Sequence, residues 1–180
     1  MAAGSNPKVQ QARSLCDEAR WADVLTLARR WQAETTDDAQ AFFYEGVALA
    51  GLGKFVAAET AYYRALGLDA QDFTTWNNLA SLLFNSLKQP AEGVKCLAQA
   101  MRLDPGNKLG WANLAAMYGE LGRHAEALEC AERALALDPD MVEAQLYRGR
   151  AGLALGQPEL ARAACEALAK LSPDKFQRAK

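Results

Sequence analysis

Residues 76–84, WNNLASLLF, and residues 111–119, WANLAAMYG, decide the fold, because they are two copies of one pattern. Phe42 and Gln145 stand at the position of Trp76 and Trp111 in two further copies, so the steps along the series are 34, 35 and 34 residues. A fixed period close to 34 residues is typical of stacked helix pairs, in which each repeat buries its apolar face against the next. The period therefore predicts an all-α solenoid.

Small residues recur where the two helices of each repeat are expected to cross. They are Gly46, Ala80, Ala115 and Gly149 in the first helices and Ala58, Gly93, Ala127 and Ala161 in the second helices. A larger side chain at a crossing would push the helices apart, at a cost of about 1–3 kcal/mol. Pro105, Pro139 and Pro173 end three of the repeats, because proline cannot continue a helix.

Together these positions resemble the tetratricopeptide repeat (TPR) family. In the fourth repeat the pattern is carried by Trp111, Ala115, Tyr118, Gly122, Ala127, Ala134 and Pro139. The resemblance implies a right-handed superhelical solenoid of about five antiparallel helix pairs.

We expect one TPR solenoid over residues 1–180. A degenerate capping repeat is predicted at 5–37 because an end repeat has a neighbour on one side only. Four regular repeats follow at 39–72, 73–107, 108–141 and 142–175, and a short tail at 176–180. The extra residue of the 35-residue step is expected in the turn at 85–90, NSLKQP, without disturbance of the packing.

The composition excludes several classes of protein. A net charge of −2 argues against nucleic acid and membrane surfaces as partners, since these usually require a basic excess. No apolar run approaches the roughly 20 residues that span a bilayer, and the opening MAAGSNPKVQQ lacks a secretory apolar core. These features favour a cytoplasmic location, and the alanine- and leucine-rich, lysine-poor composition indicates a bacterial source.

No cofactor or metal is expected. Cys16, Cys96, Cys130 and Cys165 show no metal-site spacing and are interpreted as buried small apolar residues. His124 stands at a turn position that favours a packing role. We find no catalytic constellation, so the sequence predicts a protein that is not an enzyme.

The resemblance implies that the first helix of every pair lines a concave groove. The groove residues expected to contact a peptide are Phe43, Tyr44, Val47, Asn77, Asn78, Ser81, Asn85, Asn113, Tyr147 and Arg150.

Asn78 and Asn113 are the sharpest signal, because they hold the same position in neighbouring repeats. A side-chain amide both donates and accepts, so a row of them can pair with the backbone of an extended peptide. The alternative is that asparagine is simply common at this position. Tyr44 and Tyr147 are interpreted as interface anchors, or else as rings packed within the groove wall.

The partner is expected to be a protein or peptide with an extended, neutral segment. The carboxylate clamp of the family, which grips chaperone tails, needs lysine and arginine beside its asparagines. Phe43, Val47 and Leu109 flank Asn78 instead, so chaperone tails are unsuitable ligands.

Two further interpretations stay open. The chain is a self-assembling scaffold if the apolar face of its last helix, with Leu160, Leu168 and Leu171, pairs end to end; alternatively Phe176 folds back over it. The chain is a recognition domain cut from a larger enzyme, such as a glycosyltransferase, if a catalytic part is missing.

Overall fold

Ten α-helices make up most of residues 6–171, which are the part of the chain described by the computed structural model. The predicted tail at 176–180, Phe176 and the outer ends of the first and last repeats lie outside these residues. After Cys96 the chain divides into two compact units, residues 6–96 and 97–171 of the described part.

The first unit contains two complete helix pairs and most of a third. The first pair is α1 (Pro7–Asp17) and α2 (Trp21–Glu34), and the second is α3 (Ala39–Gly51) and α4 (Phe55–Leu68). Helix α5 (Phe73–Ser81) continues without a break into a π-helical turn at Leu82–Ser86.

The boundary between the units falls inside α6 (Pro90–Leu103), and the second unit adds two more pairs. They are α7 (Lys108–Glu120) with α8 (His124–Leu137), and α9 (Val142–Ala154) with α10 (Pro158–Leu171). All described helices fall within the repeats predicted from the period. None of them combines the length and the apolar character that crossing a bilayer requires.

The small residues lie at tight helix crossings, as predicted. A Cβ atom added to Gly46 would lie 2.6 Å from the Tyr62 ring, and one added to Gly93 would lie 2.9 Å from the Ala80 carbonyl oxygen. Ala115 and Ala58 have no exposed surface. Ala161 is the exception, since it is only half-buried. The recurrence of small residues therefore reflects close approach of the two helices in each pair.

The turn inside each pair also recurs. A residue with positive φ follows the first helix at Ala19, Gly53, Lys88, Gly122 and Gly156. The N–H of the next residue then donates to a carbonyl five positions back, as Lys54 does to Leu49 at 2.8 Å and Arg123 to Tyr118 at 2.9 Å. Such a bond closes the helix end by satisfying one of its last carbonyls.

Repeat three closes its helix one residue later than the others. Here Gln89 donates to Leu83, six positions back, at 2.8 Å, and Leu87 donates to Leu82 at 3.0 Å. A π turn holds one residue more than an α turn. The extra residue, which we expected in the connecting turn, is therefore accommodated in the last turn of the helix.

Candidate peptide-binding faces

The fifth residue after the start of each first helix was predicted to face a ligand. This position is Tyr44 in α3 and Asn78 in α5, both in the first unit, and Asn113 in α7 and Tyr147 in α9, both in the second unit. Each unit thus carries one asparagine and one tyrosine at this position. The four side chains differ in burial.

Both asparagines have unused hydrogen-bonding groups. Asn113 is exposed and Asn78 is half-buried. Within the described residues neither side chain makes a hydrogen bond. A primary amide provides two donors and one acceptor oxygen. Each asparagine is therefore free to bind a peptide group.

Three more polar side chains that were predicted from the sequence lie on α5 and on the π turn that continues it. Asn77 is half-buried, and Ser81 and Asn85 are exposed. The Asn85 Nδ2 donates to the Ser81 Oγ at 3.2 Å. Because spacings of three and four residues return to one side of a helix, Asn78 and Ser81 of α5 and Asn85 of the π turn form one polar strip, which we call the polar strip of α5.

Tyr44 packs inside the first unit instead of standing free. Only 6% of it is exposed. Its ring stacks on Trp31 with centroids 6.4 Å apart and meets the edge of Phe43 at 5.1 Å. The degenerate first repeat supplies this burial, because it carries the large Trp31 where the later repeats carry Ala65, Ala100 and Ala134. Little of the Tyr44 ring is left to contact a ligand.

Phe43 and Val47, the other predicted groove residues of α3, are half-buried. Phe43 and Tyr44 line a cavity of about 150 Å³ together with Arg13, Asp69 and Asp72, among others. Asp72 is already used as the N-cap of α5, because its carboxylate accepts from the backbone of Thr74 at 3.1 Å. Capping fixes the start of α5 and so the position of its polar strip.

Tyr147 and Arg150 of α9 line a larger cavity of about 530 Å³, which we call the α7–α9 pocket. Its walls are Ala115, Ala116, Gly119 and Glu120 of α7, His124 and Ala127 of α8, and Tyr147, Arg150, Ala151, Leu153 and Ala154 of α9. Tyr147 is half-buried and Arg150 is exposed. Gly119, His124 and Leu153 were not predicted to take part in binding. The repeat pattern does not distinguish these three positions from positions that only pack against the neighbouring helix.

Among the described residues, the titratable groups include two buried thiols and no metal-binding cluster. The described residues contain no group of three or more His, Cys, Asp or Glu side chains placed to hold a metal. Burial, with a smaller contribution from Glu92, raises the pKa of the Cys96 thiol to about 11. Burial likewise raises the pKa of Cys130 to about 12. A thiol that resists ionisation is a poor nucleophile.

The cysteine prediction is confirmed for two of the four residues. Cys96 and Cys130 are buried, with 6% and 5% exposed. Cys16 is half-buried, and for Cys165, which is exposed on α10, the prediction is wrong. Cys165 holds the helix position of Tyr62, Leu97 and Ala131, which are at most 3% exposed, but it lies on α10, after which the described part of the chain has no further helix to cover it.

Comparison with known proteins identifies the repeats. Two family models, each described as tetratricopeptide repeat, match residues 71–140 and 118–175. The human Protein O-mannosyl-transferase TMTC3 is 33% identical over 107 residues, which are 59% of this chain but 12% of that protein. The chain therefore spans only about an eighth of the length of that relative.

Two solved structures resemble nearly the whole chain. The crystal structure of MamA protein superposes with a TM-score of 0.80 at 14% identity, covering 96% of this chain and 94% of that one. The structure of YrrB, described as a TPR protein with an unusual peptide-binding site, gives a TM-score of 0.78 at 17% identity, covering 96% and 89%. At such identities the likeness shows the fold, a TPR-like helical solenoid.

Proposed function

This chain belongs to the tetratricopeptide repeat family, and we propose that it is a non-enzymatic adaptor or assembly scaffold that binds a peptide segment of a partner protein. The family is generally a non-catalytic interaction module, and proteins of this fold generally bind other proteins. The surfaces assigned to binding are the polar strip of α5 in the first unit and, in the second unit, the sides of α7 and α9 that carry Asn113, Tyr147 and Arg150.

The observation that carries the proposal is the free amide of Asn78 and of Asn113. The amide recurs at the same helix position in α5 and α7, and neither copy is bonded to another group of the described residues, so both are available to a ligand. An extended peptide presents N–H and C=O groups at every residue, so an amide can bind it without reading its sequence. We therefore expect the partner segment to be extended, and largely neutral because Phe43, Val47 and Leu109 stand where the family's carboxylate clamp has its cations.

The first experiment is affinity capture from the source lysate with the wild-type chain and with the Asn78→Ala/Asn113→Ala variant. We expect at least one protein to be retained by the wild-type chain and lost with the double variant. Each single variant then reports on its own unit. The partner is identified by mass spectrometry of the retained protein.

A matched control removes two other exposed amides that lie in loops, Gln71→Ala/Gln157→Ala. This variant must retain the partner, because the amides it removes lie outside the proposed faces. Equal recovery by the wild-type chain and by both variants would contradict binding through the first helices. Unchanged circular dichroism spectra are required of each variant.

Self-association is a second candidate, favoured by one observation on α10. Leu168 holds the position of Trp31, Ala65, Ala100 and Ala134, which are all at most 2% exposed, yet Leu168 is half-buried. Apolar surface of this kind favours association. Light scattering at increasing concentration tests it: a strict monomer would rule out a scaffold built through α10.

A further inference from the structure

The α7–α9 pocket is hollow because small residues line it. Six of its eleven wall residues are alanine or glycine. Gly119 is the clearest case, since a Cβ atom added there would meet nothing within 4 Å. Its φ is not positive and it lies in a regular helix. The glycine is therefore required neither by the backbone conformation nor by close helix packing.

Apolar surface lies open beside this hollow. Leu153 of α9 lines the pocket, and 63% of it is exposed. An apolar side chain from another molecule fits such a space.

Polar groups stand among these apolar walls. Arg150 is exposed and makes no ion pair or hydrogen bond within the described residues. Glu120 and the half-buried Tyr147 and His124 line the same pocket. Arginine is the side chain best suited to grip a carboxylate, because its fork donates two parallel hydrogen bonds. A ligand carboxylate is therefore placed at Arg150 and away from Glu120.

We propose that the α7–α9 pocket receives one bulky apolar side chain, aromatic or leucine, of an extended partner peptide, while a nearby carboxylate of that peptide pairs with Arg150. This inference rests on the proposed function, because it takes the ligand to be a peptide. It adds the chemical features by which that peptide is recognised. A segment that is otherwise neutral carries one apolar anchor and one acidic residue beside it. The apolar anchor supplies the buried contact, and the carboxylate fixes the orientation of the peptide.

The test begins with selection of random dodecapeptides displayed on phage against the full wild-type chain. Selected sequences are made as fluorescein-labelled peptides, and their Kd values are measured by fluorescence anisotropy. We expect enrichment of sequences in which phenylalanine, tyrosine, tryptophan or leucine lies close to aspartate or glutamate. Enrichment of basic peptides, or of peptides without a bulky apolar residue, would overturn the inference.

Gly119→Phe then fills the pocket from inside. We expect the Kd of the selected peptides to rise at least about tenfold. The matched control is Gly67→Phe, because Gly67 is also the last residue but one of its helix and also has open space around its Cβ position. The control must leave the Kd unchanged. Arg150→Ala is expected to weaken acidic peptides, while Arg162→Ala, an exposed arginine of α10, is not.

The outcomes separate the two proposals. Peptides that lose binding to Asn78→Ala/Asn113→Ala but bind Gly119→Phe normally would overturn the pocket and leave the proposed function standing. Peptides that are insensitive to both variants would count against both. If no peptide is selected, the pocket assignment falls, whereas the lysate capture still decides whether the chain binds a partner through its first helices.

Discussion

At the scale of single residues, one N–H donor ties the first helix to the loop before it in three repeats. The Trp76 Nε1 donates to the Ala70 carbonyl at 2.9 Å, and the Trp111 Nε1 donates to the Pro105 carbonyl at 2.8 Å. Gln145 repeats the contact, because its Nε2 donates to Pro139 at 3.0 Å. The recurring contact is therefore a hydrogen bond from a side-chain N–H to the carbonyl six residues earlier. A tryptophan indole donates it in two repeats and a glutamine amide in the third.

Trp111 is expected to contribute to stability through both its ring and its N–H. Trp111→Ala should lower the free energy of unfolding by about 2–3 kcal/mol, less than for a fully buried tryptophan because the ring is half-buried. Trp111→Phe keeps much of the ring and should lose about 0.5–1.5 kcal/mol, the net value of one hydrogen bond. Urea denaturation followed by circular dichroism measures both. Equal losses for the two variants would show that the ring contributes nothing.

Neither residue type nor helix position predicts burial when a neighbouring side chain is atypical. Tyr44 and Tyr147 hold the same helix position, and both were predicted to contact a ligand. Tyr44 is buried because Trp31 stacks on it, whereas Tyr147 borders a pocket walled by alanine and glycine. The burial of one side chain depends on the size of residues on other helices, which the periodic pattern of its own helix does not contain.

At the scale of the element, the irregular helix is the first helix of repeat three. It runs from Phe73 to Ser86 when the π turn is included, one residue longer than α3, α7 and α9. Leu82 and Leu83, which precede the extra residue, are buried. Ala48, Leu49 and Met117 are buried at the matching positions of the regular repeats. The added residue thus shifts only the end of the helix, and the core register is kept.

Deletion of Ser86 should restore the 34-residue step and convert the π turn into an α turn. We expect the free energy of unfolding to fall by about 1 kcal/mol, because all three buried side chains of the turn are kept and only Phe84 has to repack. The control is deletion of Glu120 in α7, because α7 has the regular length and contains no π turn. That deletion displaces Gly122 from the turn and should cost about 2 kcal/mol or more. Equal damage by both deletions would mean that the π turn is required for packing.

The pairing of helices was predictable and the π turn was not, for one physical reason. Helix pairing depends on which residues are small or apolar, and Gly46, Ala80 and Ala115 display that in the sequence. The position of an extra residue depends on which backbone carbonyls close the helix end. Leu82 and Leu83 accept from Leu87 and Gln89, and no side-chain type distinguishes that arrangement from an insertion in the turn.

At the scale of the whole molecule, buried acidic groups make stability depend on pH. Burial raises the pKa of Cys96 to about 11 and of Cys130 to about 12, one in each unit. Burial also raises the pKa of the Tyr62 hydroxyl. In the unfolded chain these thiols ionise near pH 8.5 and the hydroxyl near pH 10. Above those values the unfolded chain releases protons that the folded chain still holds, so stability falls as pH rises.

The free energy of unfolding should therefore be insensitive to the two thiols below about pH 8 and should decline as the pH rises from about 9 towards 11. Urea denaturation at a series of pH values measures the decline. The Cys96→Ala/Cys130→Ala variant is expected to lose less stability over this interval, because alanine has no proton to release, while lysine and surface tyrosine titration is common to both proteins. Cys165→Ala is the matched control, since that thiol is exposed, and it should follow the wild-type curve. Parallel curves for all three proteins would show that the buried thiols ionise equally in the folded and unfolded states.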